Sequence, residues 1–279
     1  MDCEDLSDED DCRVVKIFPG YNKLLAPPPM DNDSKLKINI SLNLDKIIAV
    51  DENGGHFKTK ITVRRRWLDP QLSFLNLKRD IEKNQISMEE RKRIWTPRMT
   101  YRNIDQSDDI KVTDQSDIML IVPNSEFKFE KDDQSNVRNT RLFKGSENVI
   151  SYQRQSTVNW NCDFNMRWYP FDIQRCTMDM FPSASSITLY PTFVTFSGPV
   201  NLPQHFVKEV NICPLIYKNE TGIVVEIYLG RPLFGTILSV FLPTSILPIL
   251  SQIVRIFGAD HLEMVVEVNL TLLLVLATL

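Results

Sequence analysis

The side chains best placed to do chemistry fall into two groups. Glu263, Glu267, Thr271, Leu274 and Thr278 step by 4, 4, 3 and 4 residues, which puts them on one stripe of a helix while Val, Leu and Met fill its other faces. Polar groups on such a stripe suit a water-filled lumen; polar contact between helices is the alternative use. Cys162 and Cys176 enclose thirteen residues, with Trp168-Tyr169-Pro170-Phe171-Asp172 at the centre. No nucleophile–base pair and no metal-ligand spacing stands out, so neither an enzyme nor a cofactor or metal site is expected. His56, His205 and His261 are scattered, which leaves proton or zinc sensing without support. Sequons at Asn32, Asn39 and Asn219 fit glycosylation on an exterior face.

Strands and a membrane must position these groups. With 279 residues, 43% hydrophobic and 24% charged, the chain can bury a full core and suits one large domain plus something smaller. A net charge of -4 offers no basic surface to nucleic acid, and Met1 to Asp11 lacks the basic start and apolar run of a signal peptide. In KLKINISLNLD, Leu36, Ile38, Ile40, Leu42 and Leu44 fall on one face, the period-two pattern of a half-buried strand. Asn53-Gly54 marks a turn; HFKTKITVRRRW, NVISYQRQSTVNW and GIVVEIYL are further strand candidates, and MEERKR reads as a solvated loop or short helical turn. Many short strands between turn signals indicate a sandwich.

From Leu233 to Val254, 22 residues carry no charge, with Arg231 and Arg255 on either side. As a helix they are long enough for a hydrocarbon core of roughly 30 Å, and Pro243 and Pro248 are better tolerated there than in water. A second apolar run, 264–279, reaches only about 24 Å at about 1.5 Å per residue, so the expectation is a span cut short. The region ahead of the spans is expected outside the membrane, where disulfides persist, so Cys162 and Cys176 are expected to be bonded. The expected fold is mainly β: an extracellular immunoglobulin-like sandwich followed by truncated α-helical transmembrane segments.

A thirteen-residue cysteine loop around aromatic-Pro-Phe-Asp, a strand-rich stretch, an arginine, a proline-containing span and a second span together resemble the Cys-loop family of pentameric ligand-gated ion channels. RWLDPQLSF at 66–74, IWTPR at 94–98 and FKG at 143–145 stand in the family's order, and the likeness runs from about residue 20 to the end. CEDLSDEDDC at the start resembles the tail of a low-density-lipoprotein-receptor class A module, with Leu6 in place of the usual glycine. The acidic pair matching Asp8 and Glu9 ligates calcium in that module; the other ligands are absent here, so no functional site is expected. The implied organisation is 1–12 as the partial module, 13–231 as the ligand-binding sandwich and 232–279 as the transmembrane region.

The resemblance also implies roles. A small-molecule agonist, an amino acid or an amine, would sit between subunits of a homo- or hetero-pentamer, with Thr62 and Arg64 on the complementary side and Tyr101, Phe181, Ser183 and Tyr217 on the principal side. Arg64 matches an arginine that holds an agonist carboxylate, while FPSASS lacks the aromatic expected in the second principal loop. Tyr169, Phe171 and Asp172 would carry movement to the helices, and Asp51 or Glu52 would pair with Arg231. Leu274 matches the gate leucine. Selectivity divides: glutamate rings at 263 and 267 favour cations, whereas RWLDPQLSF and FKG resemble the chloride members and tilt the reading to anions, although Pro-Ala-Arg is missing before the pore helix. The implied location is the plasma membrane, multi-pass, with an extracellular amino-terminal domain. A cation channel, a partner subunit that binds no agonist and a secreted binding module are the alternatives.

Overall fold

The structure, a computed structural model, describes residues 14–30, 35–104, 111–112, 117–124, 141–217, 220–257 and 262–278. Its strands are β1 (Val15–Ile17), β2 (Leu36–Asp51), β3 (His56–Trp67), β4 (Leu72–Leu75), β5 (Met99–Tyr101), β6 (Lys111–Val112), β7 (Ile118–Val122), β8 (Leu142–Lys144), β9 (Val149–Asn161), β10 (Ile173–Pro182), β11 (Ile187–Phe196), β12 (Phe206–Tyr217) and β13 (Glu220–Gly230). The helices are α1 (Met88–Arg91), α2 (Leu233–Thr236), α3 (Leu242–Phe257) and α4 (Leu262–Thr278). The strands form a six-stranded sheet, β11-β2-β3-β9-β6 with β7 also on β9, a four-stranded sheet, β12-β13-β10-β5, and a small β1-β4-β8 sheet. The β11–β2 pairing is parallel, while β3 runs antiparallel between β2 and β9.

The chain divides into two compact units, the first comprising Met1–Phe164, Arg175–Pro199 and Glu209–Ile227, the second Asn165–Gln174, Val200–Lys208 and Tyr228–Leu279. In the first, every apolar residue of the β2 stripe from Leu36 to Leu44 is buried, as alternation requires. Alternation in β3 is stricter than its side chains suggest, because two of its buried positions are polar. Thr59 accepts from the Trp160 indole at 2.8 Å and donates to the Met178 sulfur at 3.9 Å. Arg65 donates to the Pro97 carbonyl at 2.8 Å and lies 5.4 Å from the Tyr152 ring centroid, and burial lowers the pKa of its guanidinium. The Thr59–Met178 contact and the Tyr101–Trp160 ring contact lie between the two large sheets, which gives the unit its sandwich-like core. The MEERKR segment is the short helical turn α1, closed by a capping box in which Ser87 and Glu90 exchange hydrogen bonds.

The second unit holds the carboxy-terminal helices, where the expected uninterrupted span is broken. Residues 233–257 form α2, a π-helical stretch Ile237–Phe241 and then α3, with Pro248 inside α3. Prolines 243 and 248 supply no amide to the helical ladder, which accounts for the local change of winding. No helix among the described residues is long and apolar enough to cross a membrane. In this unit α4 packs beside α3.

Candidate functional site

Cys162, directly after β9, and Cys176, within β10, are bonded, with their Cα atoms 5.2 Å apart. The enclosed segment folds around Gln174, whose amide nitrogen donates to the Asn165 carbonyl at 3.0 Å and whose oxygen accepts from the Asn165 amide at 2.8 Å. Gln174 also donates to Asp172. Arg231, directly before α2, donates through Nε to both carboxylate oxygens of Asp172, at 2.9 and 3.1 Å, and through Nη2 to the Met166 sulfur at 3.2 Å. The pair is sealed, with side-chain exposures of 6% for Arg231 and 3% for Asp172. Burial alone would push the Asp172 carboxyl up; the hydrogen bonds from Arg231 and Gln174 outweigh it and hold the group below the usual carboxylate range. The Tyr169 ring stacks on Phe241 at 6.5 Å and stands 4.7 Å from the Arg231 guanidinium, while Trp168 and Phe171 are exposed.

Arg231 thus holds a buried carboxylate within the cysteine loop itself. Asp51 accepts from the Gly54 amide at 2.9 Å and faces His56 at 3.6 Å, closing its own turn.

In the first unit, antiparallel pairing sets Tyr101 opposite Met180 and Thr100 opposite Phe181, and the Ser183 amide donates to the Arg98 carbonyl at 3.2 Å. Phe181 and Tyr217 meet edge to face at 6.3 Å, and Tyr101 meets Trp160 at 5.3 Å. The structure thus brings Tyr101, Phe181, Ser183 and Tyr217 to one end of the four-stranded sheet. Tyr217 and Ser183 are exposed, but Phe181 is buried and covered by a residue the sequence reading passed over. The guanidinium of Arg102 lies 3.8 Å from the Phe181 centroid and 4.4 Å from that of Tyr217, and it pairs with Glu220 at 2.5 Å. The only local signal was its place beside Tyr101.

Thr62 and Arg64 share the half-buried outer face of β3. Thr62 donates to Asp45 at 2.7 Å, where Gln155 at 2.8 Å and Asn43 at 2.5 Å also donate, making a polar ladder across three strands. Arg64 donates to the neutral amide oxygen of Gln153 at 2.8 and 3.3 Å, so its charge is not neutralised by that partner.

Residues 13–187 match the family described as the neurotransmitter-gated ion-channel ligand binding domain. The chain belongs to this family. Among curated relatives, "Glycine receptor subunit beta-type 4" of Caenorhabditis elegans is 21% identical over 99% of this chain and 54% of its own length. "Gamma-aminobutyric acid receptor subunit pi" of Mus musculus is 22% identical over 94% of this chain and 56% of its own. "Neuronal acetylcholine receptor subunit beta-3" of Rattus norvegicus is 22% identical over 62% of this chain and 31% of its own. The chain therefore spans about half the length, or less, of the relatives it matches. These relatives are receptor subunits, not enzymes.

Outside the matched ligand-binding region, Glu263, Glu267, Thr271, Leu274 and Thr278 all lie within α4. The Thr271 hydroxyl donates to the Glu267 carbonyl at 2.8 Å, and Leu274 is exposed. Asn39 is exposed; Asn32, Asn219, His261 and the amino-terminal Cys3–Cys12 stretch with Asp8 and Glu9 lie outside the described residues. Among the described residues no cluster of three or more His, Cys, Asp or Glu is placed to hold a metal ion.

Proposed function

We propose that this chain is part of a subunit of a pentameric neurotransmitter-gated ion channel, in which a small-molecule agonist bound between extracellular domains opens a transmembrane pore. The observation that carries the reading is the joint between the cysteine loop and the helices: a sealed Asp172–Arg231 pair with Tyr169 stacked on Phe241. A buried charge pair held by several hydrogen bonds resists rearrangement, so displacement of the loop is passed to the start of α2. In this reading 13–231 form the extracellular domain and 232–279 the transmembrane region, and residues 1–12 are the end of a low-density-lipoprotein-receptor class A module. The subunit sits in the plasma membrane as a multi-pass glycoprotein, carrying sugar at Asn32, Asn39 and Asn219. Arg64 supplies the cation for an agonist carboxylate, and anion conduction, with chloride the natural ion, is favoured over cation conduction.

The test is expression of the full-length subunit in oocytes with an amino-acid and amine agonist panel, measuring reversal potentials while chloride and sodium are exchanged. Agonist currents that reverse with the chloride gradient are expected. Currents that follow sodium would overturn the anion reading, and surface protein silent both alone and with partner subunits would overturn the channel.

A further inference from the structure

The ring cluster at the end of the four-stranded sheet already contains a cation. The Arg102 guanidinium wedges between Phe181 and Tyr217, at 3.8 and 4.4 Å from their centroids, well inside the roughly 6 Å reach of a cation–π contact. Three backbone-directed bonds hold this segment in place. The Arg102 amide donates to the Asp179 carbonyl at 3.1 Å, the Asp179 amide donates to Asn103 Oδ1 at 2.8 Å, and Asn103 Nδ2 donates to the Thr177 carbonyl at 2.5 Å. Glu220 fixes the head of the side chain at 2.5 Å. Both members of that ion pair remain about one-third exposed, so a ligand can reach it from solvent.

We propose that Arg102 is a built-in occupant of this aromatic cluster, filling the place of a cationic ligand head, so that this face refuses ammonium ligands and offers its guanidinium to a ligand carboxylate that replaces Glu220. The inference rests on the ligand-binding reading above and narrows it to carboxylate-bearing agonists on this face. Two rings and one carboxylate attract any cation, but a tethered guanidinium competes at very high effective concentration because it loses little freedom on docking. A free quaternary ammonium must displace it. A carboxylate displaces only the Glu220 head, at a pair about one-third exposed, and leaves the contacts of Arg102 with both rings in place, so less is lost on exchange.

The test uses detergent-purified full-length subunit with radiolabelled tetramethylammonium and radiolabelled acetate in equilibrium dialysis. Wild type is expected to bind acetate weakly and to show no saturable tetramethylammonium binding. Arg102→Gln empties the cluster and should raise tetramethylammonium affinity by about tenfold or more, the order expected for two ring faces made available. Arg102→Lys, which keeps the charge, should exclude the ammonium as wild type does. Glu220→Gln leaves Arg102 without its competitor and should tighten acetate binding several-fold. Equal tetramethylammonium binding by wild type and Arg102→Gln, or acetate binding unchanged in Glu220→Gln, overturns the proposal. If Arg102→Gln fails to fold, judged by gel filtration and by the Cys162–Cys176 bond on non-reducing gels, the Glu220→Gln result decides. Dialysis reads the cluster of a single chain and does not depend on current, so expected binding shifts without currents would overturn the channel reading and leave this one standing.

Discussion

Replacing Asp172 by Asn removes one charge from the sealed joint and leaves the shape unchanged. Arg231 would keep a single neutral acceptor in place of two carboxylate oxygens at 2.9 and 3.1 Å, at a site where its side chain is only 6% exposed. Removing one member of a buried ion pair costs about 3–5 kcal/mol; because the Asn oxygen still accepts one hydrogen bond, about 3 kcal/mol is expected. Asp172 titrates below its ordinary range in the folded chain, so its contribution is fully present above the unfolded pKa near about 4 and is lost as pH falls through the lower folded value. The stability gap between wild type and Asp172→Asn should therefore be largest near neutrality and shrink steadily below about pH 4. Thermal or urea unfolding of the purified protein at a series of pH values measures it, together with Arg231→Gln and the double variant. The double variant should be less destabilised than the sum of the singles by about 1–3 kcal/mol, since neither charge is then stranded. Additive losses, or a gap that does not change between pH 7 and 3, would refute the claim that the pair is buried and coupled.

Cys162→Ser opens a 15-residue loop whose closure contributes about 3 kcal/mol in a chain-entropy account, so surface labelling should show loss of assembly; normal surface levels with unchanged currents would contradict this. Gly222→Ala places a Cβ 2.5 Å from the Met180 carbonyl oxygen and 2.7 Å from the Phe181 ring, and this overpacking should cost about 1–3 kcal/mol in a melt, whereas an unchanged melting temperature would mean that β13 approaches β10 less closely. Five carboxylates of Glu267 around a lumen would draw cations, so Glu267→Gln in the full-length channel should shift the reversal potential toward that of chloride. Identical selectivity in wild type and variant would show that the helical stripe is wrongly phased.

Much of the β architecture was legible because it is written in local periodicity. The β2 stripe from Leu36 to Leu44 reports which face is buried wherever the strand ends up, since side chains alternate whatever the partner strand is. Strand-like flanks in a region read as lying outside the membrane were enough to expect the bond between Cys162 and Cys176. The cluster of Phe181 and Tyr217 was approached through positional likeness, which names a region without saying what fills it.

Tertiary structure decided the partners. Asp172 and Arg231 are 59 residues apart, and Arg102 and Glu220 are 118 apart, so no window of sequence contains either pair. The approach of Asp172 to Arg231 depends on where Gln174 pins the loop, a long-range outcome of packing. Burial of Arg65 runs against its residue type and becomes affordable only because Pro97 offers a carbonyl and Tyr152 a ring face at that point. The break of 233–257 into α2, a π stretch and α3 is likewise a matter of backbone geometry, which hydropathy cannot register: hydropathy sums side chains, whereas helix continuity depends on amides that proline does not have.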